Sequence, residues 1–257
     1  QMSEQNSIEE IFYKFLQQYN FEEEDLDYSL LDQHKRVLQT LSDIGNSGVT
    51  VFDIHTRQVV FYSMNFGALL GYAPSDYEEK GHRFFESIIH PDEKLTLSIN
   101  GVSALKIFNG LEREEKKNHK LIQEYRMLSA HGKYMRLIEQ YQILELDKKG
   151  QIWLLVSFVD LSPNQEENSA LKSQLINFKT GIIIPWEAPE KATYELTRRE
   201  LEVLKLVKDG YLSKEISSRL AISLHTVNTH RQRFLEKLGA NNSFEAVTFA
   251  SRYGLLG

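Results

Sequence analysis

No cysteine occurs anywhere in these 257 residues. That excludes disulfides, thiolate metal sites, iron–sulfur clusters, cysteine nucleophiles and a flavin–cysteine photoadduct. Also missing is an apolar run of about 18 residues, the length a helix needs to cross a bilayer. The longest apolar runs, residues 152–156 and 182–184, are strand-sized. The acidic N-terminus lacks the basic-then-apolar order of a secretory leader, so a cytoplasmic protein with no membrane partner is expected. Internal repeats and low-complexity tracts are absent. So are a nucleophile elbow, a phosphate loop and any metal-ligand spacing, and an enzyme is therefore not expected.

What is present is the composition of a globular protein, 41% hydrophobic and 26% charged, in a chain long enough for one large or two ordinary domains. The net charge of −6 is unevenly spread. Residues 190–257 hold eleven Lys and Arg against eight Asp and Glu, and the rest holds nineteen against twenty-eight. An acidic body with a mildly basic tail fits a regulator with a DNA-binding end, whose non-specific affinity for DNA would be modest.

Along the chain, residues 8–19 place Ile8, Ile11, Phe12, Phe15, Leu16 and Tyr19 on one helical face. Packing on its own domain is the plainer expectation for this face, and a dimer contact the sharper one. The acidic patch at residues 22–25 reads as a solvated connection, and a second helical pattern runs from Leu30 to Leu41. Strand-like text begins at Gly48, with a hairpin over residues 49–54 and 58–62. A broken helical region follows to Phe108, and then three longer strands over residues 121–129, 134–144 and 151–159. Two strands, several helices and three strands point to an antiparallel sheet with helices on one face. Residues 161–180 read as an exit helix opened by Ser162 and Pro163, with Leu171, Leu175 and Phe178 on one side. An extended linker follows through Ile182–Ile184, Pro185, Trp186 and Pro189.

The middle region resembles a PAS sensor domain. The resemblance rests on Gly48-Val49, Asn65-Phe66, Leu70-Gly71-Tyr72, Ile89 to Glu93 and the closing Val159-Asp160-Leu161. It implies a five-stranded antiparallel sheet whose helices enclose a core or a small cavity. The expected divisions are an N-terminal helical segment (1–44), the PAS-like domain (45–161), a connecting helix and linker (162–193) and a DNA-binding domain (194–257). The fold class is thus α+β followed by an all-α domain.

The last sixty residues carry the most specific chemistry. Thr197 and Glu200 form a capping box at the start of a helix that stops at Gly210. Ser213 is expected to cap the next helix, Thr226-Val227 to open a third that stops at Gly239, and Ser243 to cap the last. Ile216, Leu220, Ile222 and Val227 stand where a helix-turn-helix needs buried apolar groups, with the small Ser217 at the crossing. That arrangement leaves Asn228, Thr229, Arg231 and Gln232 on or near the outer face. Amide side chains pair bidentately with adenine, and Thr touches a thymine methyl. Lys214, His225, Arg233 and Lys237 suit phosphates, and Ser223, Thr226 and Arg231 are also assigned to the DNA backbone. Arg198, Arg199, Lys205 and Lys208 read as a solvated face, and His230 as a core or phosphate-side histidine.

Leu196 to Glu200, Gly210, Ser213 to Ile216, Ile222-Ser223, Thr226-Val227, His230, Lys237-Leu238 and Glu245 to Val247 are similar to the LuxR-type DNA-binding domain. The resemblance implies four helices, a third helix in the major groove, a dimer, and base-facing positions at Asn228, Thr229 and Gln232. Asn228 stands where the family commonly has Lys, which exchanges a charge for an amide. The Asn242-Ser243 pair replaces an Arg that often caps the last helix. The acidic cluster and downstream Lys of a receiver domain are missing, so aspartate phosphorylation is not an expected input.

The expected function is sequence-specific transcription regulation in the bacterial cytoplasm. A PAS-like domain that senses a signal or mediates dimerisation would control the helix-turn-helix. Double-stranded DNA, a second copy and RNA polymerase are the candidate partners. The alternative is a protein-interaction module that does not bind DNA. For the aromatic-rich middle region a filled core is expected in preference to a cavity, although a small-molecule ligand has room to exist. His82, His90, His119 and His131 could serve as haem ligands by type, but no cofactor is assigned.

Overall fold

A computed structural model describes residues 12–166, 171–184, 196–252 and 255–256. The chain divides into two compact units between residues 186 and 187.

In the first unit, strands β1 (Gly48–Asp53) and β2 (Gln58–Tyr62) form the expected hairpin. Helices α2 (Pro74–Tyr77), α3 (His82–Ser87), α4 (Pro91–Gly110) and α5 (Arg113–Lys116) follow α1 (Tyr28–Gly45) in chain order. Strands β3 (His119–Leu128), β4 (Tyr134–Leu146) and β5 (Ile152–Leu161) then run as an antiparallel meander, and β5 closes onto β1. Along β3 the residues alternate inward and outward, so His119, Leu121, Gln123, Tyr125 and Met127 share the covered face.

The segment expected to be an exit helix is instead a sixth strand. Residues Lys172–Asn177 form β6, paired antiparallel with His119–Glu124 of β3, and β7 (Ile183–Ile184) pairs with β6. The sheet order is β2-β1-β5-β4-β3-β6-β7, the five expected strands plus two. Leu171, Leu175 and Phe178 do have helical spacing, but burial follows a strand: Lys172 and Gln174 are exposed, Ser173 between them is half-buried, and Leu175 is fully buried. The open edge of β3 presents a row of backbone donors and acceptors, and pairing with it satisfies both chains. A short helix with no packed face would gain little by comparison. Ser162 Oγ accepts the Asn164 amide and turns the chain where the helix was expected to start. Pro185, Trp186 and Pro189 of the expected linker lie outside the described residues.

The N-terminal face packs on its own unit. Residues 12–16 are helical, Phe15 and Leu16 are buried, and the Tyr19 hydroxyl donates to Asn109 Oδ1 at 2.8 Å. Gly101 of α4 makes room for the Phe12 ring, since a Cβ there would lie 3.2 Å from it. Ile8 and Ile11 lie outside the described residues.

The expectation of a filled core is corrected. A cavity of about 230 Å³ opens between the sheet and helices α3 and α4. Its large rings meet edge to face, as Phe66 and Phe85 do with centroids 4.6 Å apart, and so build a frame without filling it. The small residues Ser98, Gly101 and Ala104 face the remaining space from α4.

The second unit consists of α6 (Arg198–Lys208), α7 (Ser213–Leu220), α8 (Leu224–Leu238) and α9 (Ser243–Arg252). Val203, Leu204, Ile216, Val227, Phe234, Leu238, Ala246 and Ala250 form its core, with Leu220 and Ile222 packed against it.

Candidate nucleic-acid interface and sensor cavity

The helix-turn-helix is α7, a turn and α8. Ala221 ends α7 in the left-handed region (φ 51°). Ser217 fastens the turn by donating its hydroxyl to the Ile222 carbonyl at 2.6 Å. Ser223 is the N-cap of α8, its Oγ accepting the Thr226 amide at 3.0 Å, so this helix opens at Leu224, two residues before the expected start. Two other caps also differ from expectation. Leu212 is the N-cap of α7, its amide held by the Glu215 carboxylate at 2.7 Å, and Asn242 rather than Ser243 accepts the Glu245 amide ahead of α9. The serine hydroxyls are used elsewhere: Arg231 donates to Ser213 Oγ at 2.8 Å and to Ser243 Oγ at 2.7 Å, tying α8 to the starts of α7 and α9.

On α8, His225, Asn228, Thr229, Gln232 and Glu236 recur at helical spacing as one stripe. Asn228 and Gln232 are exposed and Thr229 is half-buried, its hydroxyl donating to the His225 carbonyl. Gln232 donates to Glu236 at 2.9 Å, which orients its amide and leaves the carbonyl oxygen outward. Glu236 was not singled out from the sequence, although its position four residues after Gln232 is the spacing at which helix side chains meet. Lys214, His225 and Arg233 are exposed. Ser223 and Thr226 share a hydrogen bond at the open amide end of α8, where the helix dipole favours negative charge.

Two residues expected to reach phosphates make hydrogen bonds within the unit. Arg231 makes the serine clamp, and Lys237 pairs with Glu200 at 2.7 Å. Glu200 is 1% exposed and also completes the expected capping box with Thr197. Burial would raise its carboxyl, but the Lys237 ammonium and the Thr197 groups hold it below the usual carboxylate range. The sequence carries no local sign of a pair 37 residues apart. Arg198 and Arg199 both pair with Glu202 on the surface of α6. His230 Nδ1 is buried with no partner among the described residues, in keeping with a core histidine.

The cavity in the sheet unit has apolar walls that include Phe12, Phe52, Phe66, Phe85 and Phe108, with a polar corner at Gln123 and Glu139. Gln123 and Glu139 are register partners across β3 and β4. Glu139 accepts from the hydroxyls of Tyr125, Tyr141 and Ser157, yet burial raises its carboxyl above the usual range. Of the four histidines weighed as haem ligands, His82 alone lines the cavity, placed between the Tyr62 hydroxyl and Glu86. His90 caps α4, His119 bonds the Glu115 carbonyl, and His131 is exposed.

Residues 194–250 match the family described as bacterial regulatory proteins, luxR family, and residues 59–159 match the PAS fold. The chain thus carries one region that matches the PAS fold and a second that matches the luxR-family regulators. Over 61 residues it is 41% identical to the response regulatory protein YgeK of Escherichia coli and to the oxygen regulatory protein NreC of Staphylococcus aureus. The match covers 24% of this chain, 42% of YgeK and 28% of NreC, so it spans less than half the length of these curated relatives. Among solved structures, a phage VqmA–DPO complex is 16% identical, with 88% of this chain and 92% of that one covered and a TM-score of 0.34. The Vibrio cholerae VqmA dimer without target DNA is 17% identical, covers 90% and 93%, and has a TM-score of 0.33.

Proposed function

We propose that this protein is a dimeric, sequence-specific DNA-binding regulator of transcription in the bacterial cytoplasm, with the PAS-fold unit as its signal input. The observation that carries the reading is the α8 stripe, where Asn228, Thr229 and Gln232 stand outward with amide and hydroxyl groups suited to base edges. Lys214, His225 and Arg233, with Ser223 and Thr226 at the α8 amide end, supply the phosphate contacts. Arg231 and Lys237 act indirectly, holding α8 in its frame.

The second copy has a face to meet. Val37, Leu41 and Ile44 of α1 are 58%, 50% and 77% exposed, and with Leu30 and His34 they follow the 4-3-4-3 spacing of a coiled-coil seam. Gln33 and Thr40 flank this seam without charge, so two copies of α1 meet without repulsion. Dimers place two reading helices on half-sites about one DNA turn apart.

Selection from random duplexes tests the reading. One enriched, two-fold symmetric motif is expected. Asn228→Ala and Gln232→Ala should each relax one position at a cost of about 1–3 kcal/mol, and Arg233→Ala should weaken all sequences alike. Absence of enrichment would sink the proposal. The weak basic charge of the helical unit and the acid Glu236 on its stripe favour, as the second reading, a protein-binding surface. A DNA affinity that stays flat as salt rises would decide for it.

A further inference from the structure

From Asn228 onward the α8 stripe carries no cation: Asn228, Thr229 and Gln232 are neutral, and Glu236 is an exposed carboxylate. A negative charge is unfavourable against a duplex, whose phosphates place one charge on about every 1.7 Å of its axis. The helix gains little from it either. Glu236 stands in the last turn of α8, where the carbonyl end of the dipole disfavours an acid. It makes no ion pair among the described residues, and the neighbouring Lys237 pairs with Glu200 instead. Its side-chain hydrogen bond comes from Gln232, Nε2 donating to Oε1 at 2.9 Å, so the two side chains meet groove-ward as one unit.

That pairing changes what Gln232 can read. A glutamine that reads adenine uses both ends of its amide: the carbonyl oxygen accepts from N6, and an N–H donates to N7. Here one amide hydrogen is already taken, and a carboxylate stands beside the donor end. An adenine arriving there brings the lone pair of N7 toward a second acceptor. Cytosine presents the major groove with its N4–H donor and no N7. Gln232 Oε1 and Glu236 Oε2 are both acceptors, so together they match that single donor. Guanine and thymine offer O6 and N7, or O4, and would set acceptor against acceptor.

We infer that Glu236 is a specificity-determining residue: with Gln232 it forms a two-acceptor pair that selects a cytosine in each half-site and turns Gln232 away from adenine. The inference rests on the reading of α8 as a DNA-reading helix, and it names the base that one position of that helix takes. On a duplex with no cytosine in reach, the carboxylate meets only acceptors and phosphates. It therefore also lowers affinity for the wrong sequences, which is a repulsive route to discrimination.

The test is selection from random duplexes with the full chain, run in parallel on the wild type, Glu236→Ala, Glu236→Gln and Gln232→Ala. At the motif position that Gln232→Ala weakens, the wild type should hold a cytosine, preferred about tenfold or more over adenine. Glu236→Ala frees the amide and should change that position from cytosine to adenine, leaving the positions read by Asn228 and Thr229 as they were. Glu236→Gln keeps a hydrogen-bonding end without the charge and should accept both bases. Both Glu236 variants should bind random-sequence duplex more tightly than the wild type at equal salt. Because both side chains are exposed, circular dichroism should show these variants folded as the wild type is. A purely structural role for Glu236 would move every position together or none. A base other than cytosine at that position, a motif that Gln232→Ala leaves unaltered, or a Glu236→Ala motif identical to the wild type's would each overturn the inference and leave the DNA-binding reading in place. No enriched motif from the wild type would overturn both.

Discussion

Glu200 in the helical unit and Glu139 in the sheet unit are buried to nearly the same degree, 1% and 4% exposed, yet their surroundings oppose each other. Glu200 is met by the Lys237 ammonium and by the backbone and side chain of Thr197, and its carboxyl is held low. Among the described residues Glu139 is met by hydroxyls and by a distant His82, and burial pushes its carboxyl up. A buried charge is tolerable when a partner replaces its lost water, and costly otherwise. The helical unit carries its own counter-charge. The sheet unit keeps a buried carboxyl with no cation beside it among the described residues.

The comparison breaks most severely at the reader's core. Phe234 is fully buried at the centre of the four helices, so Phe234→Ala should cost about 4 kcal/mol. Circular dichroism should then show early loss of helix and titrations should show no DNA binding, while the seven-stranded sheet keeps its signal. Next in size is Lys237→Met, which strands Glu200 without its cation and should cost about 2–3 kcal/mol at neutral pH. It should also weaken a pH dependence. In the wild type the low-lying Glu200 carboxyl contributes stability above the ordinary carboxylate range, and this is lost as pH falls through its folded value. In the variant the Thr197 hydrogen bonds remain but the ammonium is gone, so the loss of stability in acid should be smaller, as melting temperatures across pH 3–8 would show.

Glu139 has the sign opposite to that of Glu200. Its raised carboxyl contributes stability in acid that is lost as pH rises through the folded value. Glu139→Gln should therefore compare better with the wild type at pH 8 than at pH 4, by about 1 kcal/mol in denaturant titrations. An equal effect at both pH values would show that Glu139 is not the unbalanced group. The smallest change sharpens the reader: Ala221 holds a left-handed conformation that glycine adopts freely, so Ala221→Gly should stabilise the helical unit by about 0.5 kcal/mol. A loss of stability there would mean that the alanine methyl packs usefully in the turn.

Much of the reader was legible because its signals are local. The Thr197–Glu200 capping box, the stops at Gly210 and Gly239 and the inward stripe through Ile216 and Val227 lie within a few residues of what they control. The serine caps of α7 and α9 were misplaced because Ser213 and Ser243 find a better partner in Arg231, which sequence distance hides. The five-stranded core could likewise be read from alternation and turn residues. The strand at Lys172–Asn177 could not, because Leu171, Leu175 and Phe178 fit a helical period, and the winning partner was an open edge about fifty residues earlier.

By itself, then, the sequence determined which segments form helices and strands wherever a cap, a stop or a period spoke clearly, and it placed Asn228, Thr229 and Gln232 on the reader's outer face. Those properties depend on neighbours within one or two turns of chain. Tertiary structure alone decided that Arg231 and Lys237 pair within the helical unit, that residues 172–177 extend the sheet, and that the aromatic middle region leaves a cavity. Each of these depends on which distant groups meet after folding, and on whether a buried charge or carbonyl finds a partner there.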